Sequence, residues 1–226
     1  MSTEDLAAEE YASARGSGWI RRYTFVERVN HWIGAVAYLY LLLTGLAFWS
    51  PYLFWMAALL GGGPTARFWH PWAGLLFTAS TFAMFIHWSG DMHETDADRA
   101  WWKAIGAYVR NEDERVPPVG KYNYGQKLWF WLISYGAILL LLSGLALWFT
   151  ESIPWNLRFL RYTAILVHVG AALLTIGGFF IHVYMSTALE EGSFSSMVEG
   201  DVSKAWAKEF HRLWYDRIFQ KTPARK

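Results

Sequence analysis

RYTAILVHVGAALLTIGGFFIHVYM, residues 161–185, carries two histidines through a stretch with no charged side chain after Arg161, and the next charge is Glu190. The uncharged window 162–189 exceeds the roughly 20 apolar residues that a helix needs to cross a hydrocarbon core. It therefore reads as a membrane span. An ionisable residue inside a span is costly and is a functional candidate by default. His168 and His182 are fourteen residues apart. At about 100° per residue that spacing falls about 40° short of four turns, so both imidazoles face one way, separated by roughly 21 Å along the axis.

Outward from this stretch the same pattern recurs. Uncharged windows cover 29–66, 68–90 and 128–150 as well. The second and third hold one span each. The first holds a span from Val29 to Trp49 ending at Ser50-Pro51, and its remainder, 54–66, is too short and glycine-rich for a return crossing and is expected in the interface. The fold class expected is all-α, an integral membrane four-helix bundle. Composition agrees: of 226 residues 54% are hydrophobic, 19% aromatic and 17% charged, with the charges gathered into a few segments. The net charge of +1 says nothing about nucleic-acid or acidic partners, and no nucleic-acid partner is expected. With no cysteine the chain has no disulfide, no iron–sulfur cluster of its own and no thioether-linked haem.

Lysine and arginine counts set the orientation. The loop 51–67 holds only Arg67, and 151–161 only Arg158 and Arg161. The N-terminal segment carries Arg15, Arg21, Arg22 and Arg28, and the loop 91–127 carries Arg99, Lys103, Arg110, Arg115, Lys121 and Lys127. Both termini are expected in the cytoplasm, with 1–20 a mobile polar tail rather than a signal peptide, 21–190 the membrane domain and 191–226 a cytoplasmic C-terminal segment. In the middle loop, Trp101, Trp102, Ile105, Tyr108 and Val109 share one helical side, the pattern of a short helix on the membrane surface or an ordinary loop helix.

Topology pairs the histidines by depth. His31 begins span one on the cytoplasmic side, level with His182 late in span four; His70 begins span two on the outer side, level with His168. Two inter-helical pairs result, the arrangement that supplies two axial imidazoles to each of two b-type haems. Small residues lie a turn from each ligand: Gly34 and Ala35, Ala73 and Gly74, Ala164, Ala171 and Ala172, and Gly178. Helix packing alone also uses small residues, and a haem-free proton or ion pathway remains the rival class. His87, seventeen residues after His70, faces about 100° away and is expected at the interface; His93 and His211 lie in polar surroundings and are expected to be solvated. Arg67 and Arg161 are placed to meet propionates of the outer haem.

The stretches FVERVNHW (25–32), RFWHPWAG (67–74), VGKYNYGQK (119–127), RYTAILVHVG (161–170), IHVYM (181–185) and GSFSSMVEGDVSKAWAKEFHRLWY (192–215) resemble the membrane cytochrome b, or gamma, subunits of respiratory formate dehydrogenases. The histidine placements are shared with hydrogenase and thiosulfate-reductase cytochromes; VGKYNYGQK and the tail are closer to the formate dehydrogenase group. The resemblance implies two b haems ligated by His70 with His168 and His31 with His182. It also implies a quinone site beside the inner haem, carried by Asn123, Gly125 and His182. Gln126, just before span three, has an amide suited to a quinone carbonyl, and Tyr124 stands where the family has a small residue. The implied partners are an iron–sulfur (beta) subunit, a molybdenum- or tungsten-containing catalytic (alpha) subunit and membrane quinone, in a higher oligomer in the bacterial inner membrane. A hydrogenase or another molybdoenzyme is the alternative partner.

Overall fold

The computed structural model describes residues 11–13, 15–110 and 112–219. In chain order the elements are β1 (Trp19–Arg21), α1 (Phe25–Trp49), α2 (Trp55–Leu59), α3 (Gly63–Trp88), α4 (Asp96–Lys103), α5 (Ile105–Val109), α6 (Tyr124–Trp148), α7 (Phe159–Tyr184), α8 (Ser193–Glu199), β2 (Asp201–Ser203), α9 (Lys204–Phe210) and α10 (Arg212–Phe219). The four long helices, α1, α3, α6 and α7, have 25, 26, 25 and 26 residues. By length and composition α1, α6 and the run 159–189 can cross a membrane. Helix α3 has the length, but Arg67, His70, His87 and its hydroxyls dilute its apolar character.

Local chemistry fixes the helix ends. Thr24 opens α1 with a capping box: its backbone N–H donates to Glu27 at 2.7 Å and its hydroxyl accepts from the Glu27 N–H at 3.3 Å. Helix α1 stops before Pro51, which cannot donate to a continuing ladder. Gly61 and Gly62, at φ of +90° and +91°, turn the chain into α3, with Pro64 in its first turn. Thus α3 starts at Gly63, earlier than the uncharged window implied, and the stretch expected in the interface divides between α2 and the start of α3. Helix α7 continues into a π-helix, Met185–Leu189, where the Glu190 N–H donates to the Met185 carbonyl at 3.0 Å.

The middle loop differs from expectation. It forms two helices broken at Ala104, and they divide the supposed apolar side. Trp101 and Tyr108 turn inward and are buried, whereas Trp102 and Val109 are exposed.

The chain forms two compact units. The first comprises Met1–Arg28, Trp88–Phe130 and Ile181–Lys226; the second Val29–His87 and Trp131–Phe180. In the first, β1 and β2 pair antiparallel, with Ile20 opposite Val202, over a core of Ile20, Val202, Trp206, Ala207 and Trp214. The boundary expected at residue 20 falls inside β1; residues 1–10 of the expected tail lie outside the described residues. His211, expected to be solvated, is instead fully buried. Its Nδ1 lies 2.7 Å from the Gly120 carbonyl and its Nε2 3.4 Å from Arg22, contacts that only the folded chain assembles. Burial, and then the Arg22 charge, hold its pKa well below the ordinary histidine value.

In the second unit the core is Ala37, Tyr38, Phe77 and Ala137, joined by Leu41, Ile133 and Phe179. Small residues set the helix approach: a Cβ on Gly136 would fall 2.5 Å from Thr175 Cγ2, and one on Gly34 2.7 Å from Ser80 Oγ. The Gly34 contact is therefore with α3.

Candidate functional site

His70 and His168 lie together in the second unit. Their ring centroids are 6.3 Å apart and the ring planes make 58°. Two imidazoles on opposite sides of one metal, each nitrogen about 2 Å from it, put the centroids about 6 Å apart. The spacing fits an axial pair.

Each imidazole meets a hydroxyl that also reaches a carbonyl of its own helix. The Thr44 hydroxyl donates to the Tyr40 carbonyl at 2.7 Å and lies 2.6 Å from His70 Nδ1. The Ser143 hydroxyl donates to the Leu139 carbonyl at 2.6 Å and lies 2.9 Å from His168 Nδ1. A hydroxyl has one proton; when it lies on the carbonyl of its own helix, the oxygen accepts Nδ1–H of the imidazole. Nε2 of both histidines then carries the lone pair a metal needs. Glycines follow both hydroxyl residues: a Cβ on Gly45 would be 3.7 Å from His70 Cε1, and one on Gly144 3.3 Å from His168 Cε1.

His87 is exposed, and its Nδ1 lies 2.7 Å from the Ala83 carbonyl of its own helix. It does not join the pair. His93 is exposed. The other two expected ligands belong to different units. His31, half-buried, meets the Trp32 ring edge-on at 5.4 Å. His182 stacks on Trp129 at 5.1 Å with 14° between planes. Arg67 is exposed, whereas Arg161 is half-buried and donates from Nη2 to the Ile153 carbonyl. Its Nε is buried without a hydrogen-bond partner among the described residues, a donor suited to an anion such as a propionate.

The residues expected around a quinone gather in the first unit. Asn123 is buried and caps α6 with a capping box: its Oδ1 accepts from the Gln126 N–H at 2.9 Å, and its N–H donates to Gln126 Oε1 at 3.1 Å. Its Nδ2 donates to Glu190 Oε1 at 3.0 Å. Glu190, itself buried, also accepts from the Tyr108 hydroxyl at 2.7 Å. Gly125 gives its open face to Trp101, whose ring would be 3.3 Å from an added Cβ. Tyr124 meets Trp102 edge-on at 5.7 Å. A cavity of about 200 Å³ is lined by Trp101, Tyr108, Asn123, Glu190, Lys208 and Arg212 among others. In the same unit, Lys127 and Asp98 form a buried ion pair at 2.7 Å, with side-chain exposures of 8% and 2%.

Sequence reasoning missed Thr44, Ser143 and Glu190. A signal existed for each: a hydroxyl residue followed by glycine at matching places in spans one and three, and the first charge after span four.

A family model described as prokaryotic cytochrome b561 matches residues 22–200. The cytochrome b556(fdo) subunit of formate dehydrogenase from Escherichia coli K12 is 36% identical over 209 residues, covering 92% of this chain and 96% of that protein. The nitrate-inducible formate dehydrogenase cytochrome b556(Fdn) subunit of the same strain is 32% identical over 213 residues, 93% of this chain and 96% of that one. A formate dehydrogenase cytochrome b556 subunit from Haemophilus influenzae is 32% identical over 198 residues, 87% of this chain and 82% of that one.

Proposed function

This chain belongs to the prokaryotic cytochrome b561 family and is a membrane electron-transfer protein carrying b-type haem; from that premise we propose that it is the dihaem cytochrome b subunit anchoring a respiratory formate dehydrogenase. The observation that carries the haem assignment is the His70–His168 pair at 6.3 Å, with Nδ1 of each against a helix hydroxyl. With Nδ1–H given to the hydroxyl, Nε2 of each imidazole would be the nitrogen that holds iron.

The rest of the proposal follows from helix order. Four spans with both termini cytoplasmic put His70 and His168 toward the outer face and His31 and His182 toward the inner, each pair holding one haem. When bound by these pairs, b-type haem would supply single-electron centres between an outer iron–sulfur (beta) subunit and quinone. Formate is oxidised on a separate alpha subunit holding molybdenum or tungsten, and the complex sits in the bacterial inner membrane as a higher oligomer.

The chain's own residues bind, orient and supply protons. Arg161 Nε offers its unused donor to an outer propionate. Asn123, Gln126 and Gly125 with His182 form the quinone end. Within it, Glu190 orients the Asn123 amide and is the buried carboxyl next to a cavity bordered by Lys208 and Arg212, through which protons reach the quinone.

The test is stoichiometric. The complex purified from membranes should give two b haems per copy of this chain, extractable by acid acetone because no cysteine tethers them. His168→Ala should leave one and His87→Ala two. A ratio near one in the unaltered chain, or a haem lost with His87→Ala but kept with His70→Ala, would overturn the assignment.

A further inference from the structure

Spans one and three contain nearly the same nine residues. LLLTGLAFW, 41–49, and LLLSGLALW, 140–148, agree at seven positions, and one of the two differences exchanges threonine for serine. The retained group is a hydroxyl, and both hydroxyls meet a histidine: Thr44 Oγ1 is 2.6 Å from His70 Nδ1, and Ser143 Oγ 2.9 Å from His168 Nδ1. The glycine that follows each lies against the Cε1 of the same ring. Each imidazole is thus held at Nδ1 by a hydroxyl and faced at Cε1 by a bare backbone, twice over, from α1 to α3 and from α6 to α7.

Hydroxyls in apolar helices commonly bond back to the preceding turn for their own sake. Thr78 does so at 2.8 Å and Thr163 at 3.1 Å. What sets Thr44 and Ser143 apart is the second partner. When its proton lies on the helix carbonyl, 2.7 Å away for Thr44 and 2.6 Å for Ser143, each oxygen is an acceptor for the imidazole.

We propose that Thr44 and Ser143 are paired positioning residues of the outer haem site, accepting Nδ1–H of both axial ligands and thereby lowering the reduction potential of the haem held there. This rests on the reading of His70 and His168 as ligands. The physical reason is electronic. An acceptor on Nδ1–H makes Nε2 a stronger donor, and a stronger axial donor stabilises ferric over ferrous iron. Each hydroxyl acts on its own imidazole, so the two contributions would add. Neither hydroxyl touches the metal, so their loss changes the tuning of the site and not its ligand set.

The experiment is a redox titration of the haem spectrum in the purified complex, with low-temperature paramagnetic resonance of the oxidised form. Thr44→Val and Ser143→Ala should each keep both haems and make the outer component about tenfold easier to reduce, a positive shift of about 59 mV for one electron. The double variant should shift further, the inner component should stay in place, and the outer ferric signal should move with the potential. Thr44→Ser and Ser143→Thr, which keep the acceptor, should match the unaltered protein. If a variant loses haem, Thr44→Cys replaces it; its thiol is a weak acceptor, and a smaller shift of the same sign is expected. Haem-bearing variants with an unmoved outer potential overturn the proposal. Absence of an outer haem from the unaltered complex would overturn the ligand reading instead, so the two failures are distinguishable.

Discussion

The two units solve the problem of holding helices together in opposite ways. The second relies on what is missing: Gly34 and Gly136 let α3 and α7 approach side chain to backbone, while large apolar residues such as Leu166, Leu174 and Phe82 point outward at 75%, 67% and 63% exposure. Among lipid tails, apolar surface gives no net drive to associate, so close packing and hydrogen bonds must do the holding. The first unit buries charge: Asp98 with Lys127, Glu190 with Asn123 and Tyr108, Arg22 beside His211. Buried charge is stable only when paired. The lesson is that one substitution type should hurt one unit and spare the other.

The largest effect expected is on the ion pair. Lys127→Met leaves Asp98 buried without its cation and should cost about 3–5 kcal/mol, read by thermal unfolding in detergent. Adding Asp98→Asn should recover part of that loss. A cost under about 1 kcal/mol would mean the pair behaves as a surface pair and would erase the contrast.

The matching change in the second unit adds a methyl rather than removing a charge. Gly136→Ala drives a Cβ into Thr175 and should cost about 1–3 kcal/mol. Thr175→Ser, which removes the clashing Cγ2, should relieve it, and the coupling in a double-mutant cycle is the measurement. Additive single effects would place the strain elsewhere.

Asn123 tests whether polar burial in the first unit serves function or only structure. Asn123→Leu removes the cap and the donor; Asn123→Ser keeps a good cap and loses the amide donor. Stability should fall by about 1 kcal/mol for leucine and little for serine. Quinone-driven reoxidation should slow about five- to 150-fold in both, the equivalent of about 1–3 kcal/mol for an unpaired buried polar group, with haem content unchanged. Unchanged kinetics would make Asn123 a cap only.

The smallest effect at neutral pH, and the one that grows with acid, belongs to His211. Its folded pKa is depressed, so the unfolded chain binds the proton first. Above about pH 6.5 both states are neutral and the group contributes nothing to pH dependence. As the pH falls below that value stability declines by up to about 1.4 kcal/mol per unit until the folded pKa is reached. His211→Gln should flatten this acid limb in unfolding measured from pH 7.5 to 5. A limb that persists unchanged would assign it to another group.

Much of the fold was legible because bilayer thickness is a length scale printed directly in uncharged windows, and four long helices stand where those windows fall. The start of α3 at Gly63 was not legible, since a charge count treats Arg67 as a boundary although a helix runs through it. The burial of Tyr108 and of His211 was hidden for another reason. Both depend on partners far away in sequence, Glu190 for Tyr108 and Gly120 with Arg22 for His211.

By itself the sequence determined which segments are long and apolar enough to be candidate spans and that His168 and His182 share one side of a helix, because both are properties of spacing along a helix. Only the tertiary structure decided that His70 and His168 stand 6.3 Å apart with a hydroxyl against Nδ1 of each. That depends on Thr44 and Ser143, 26 and 25 residues away in the chain and on other helices, a juxtaposition that spacing along one helix cannot encode.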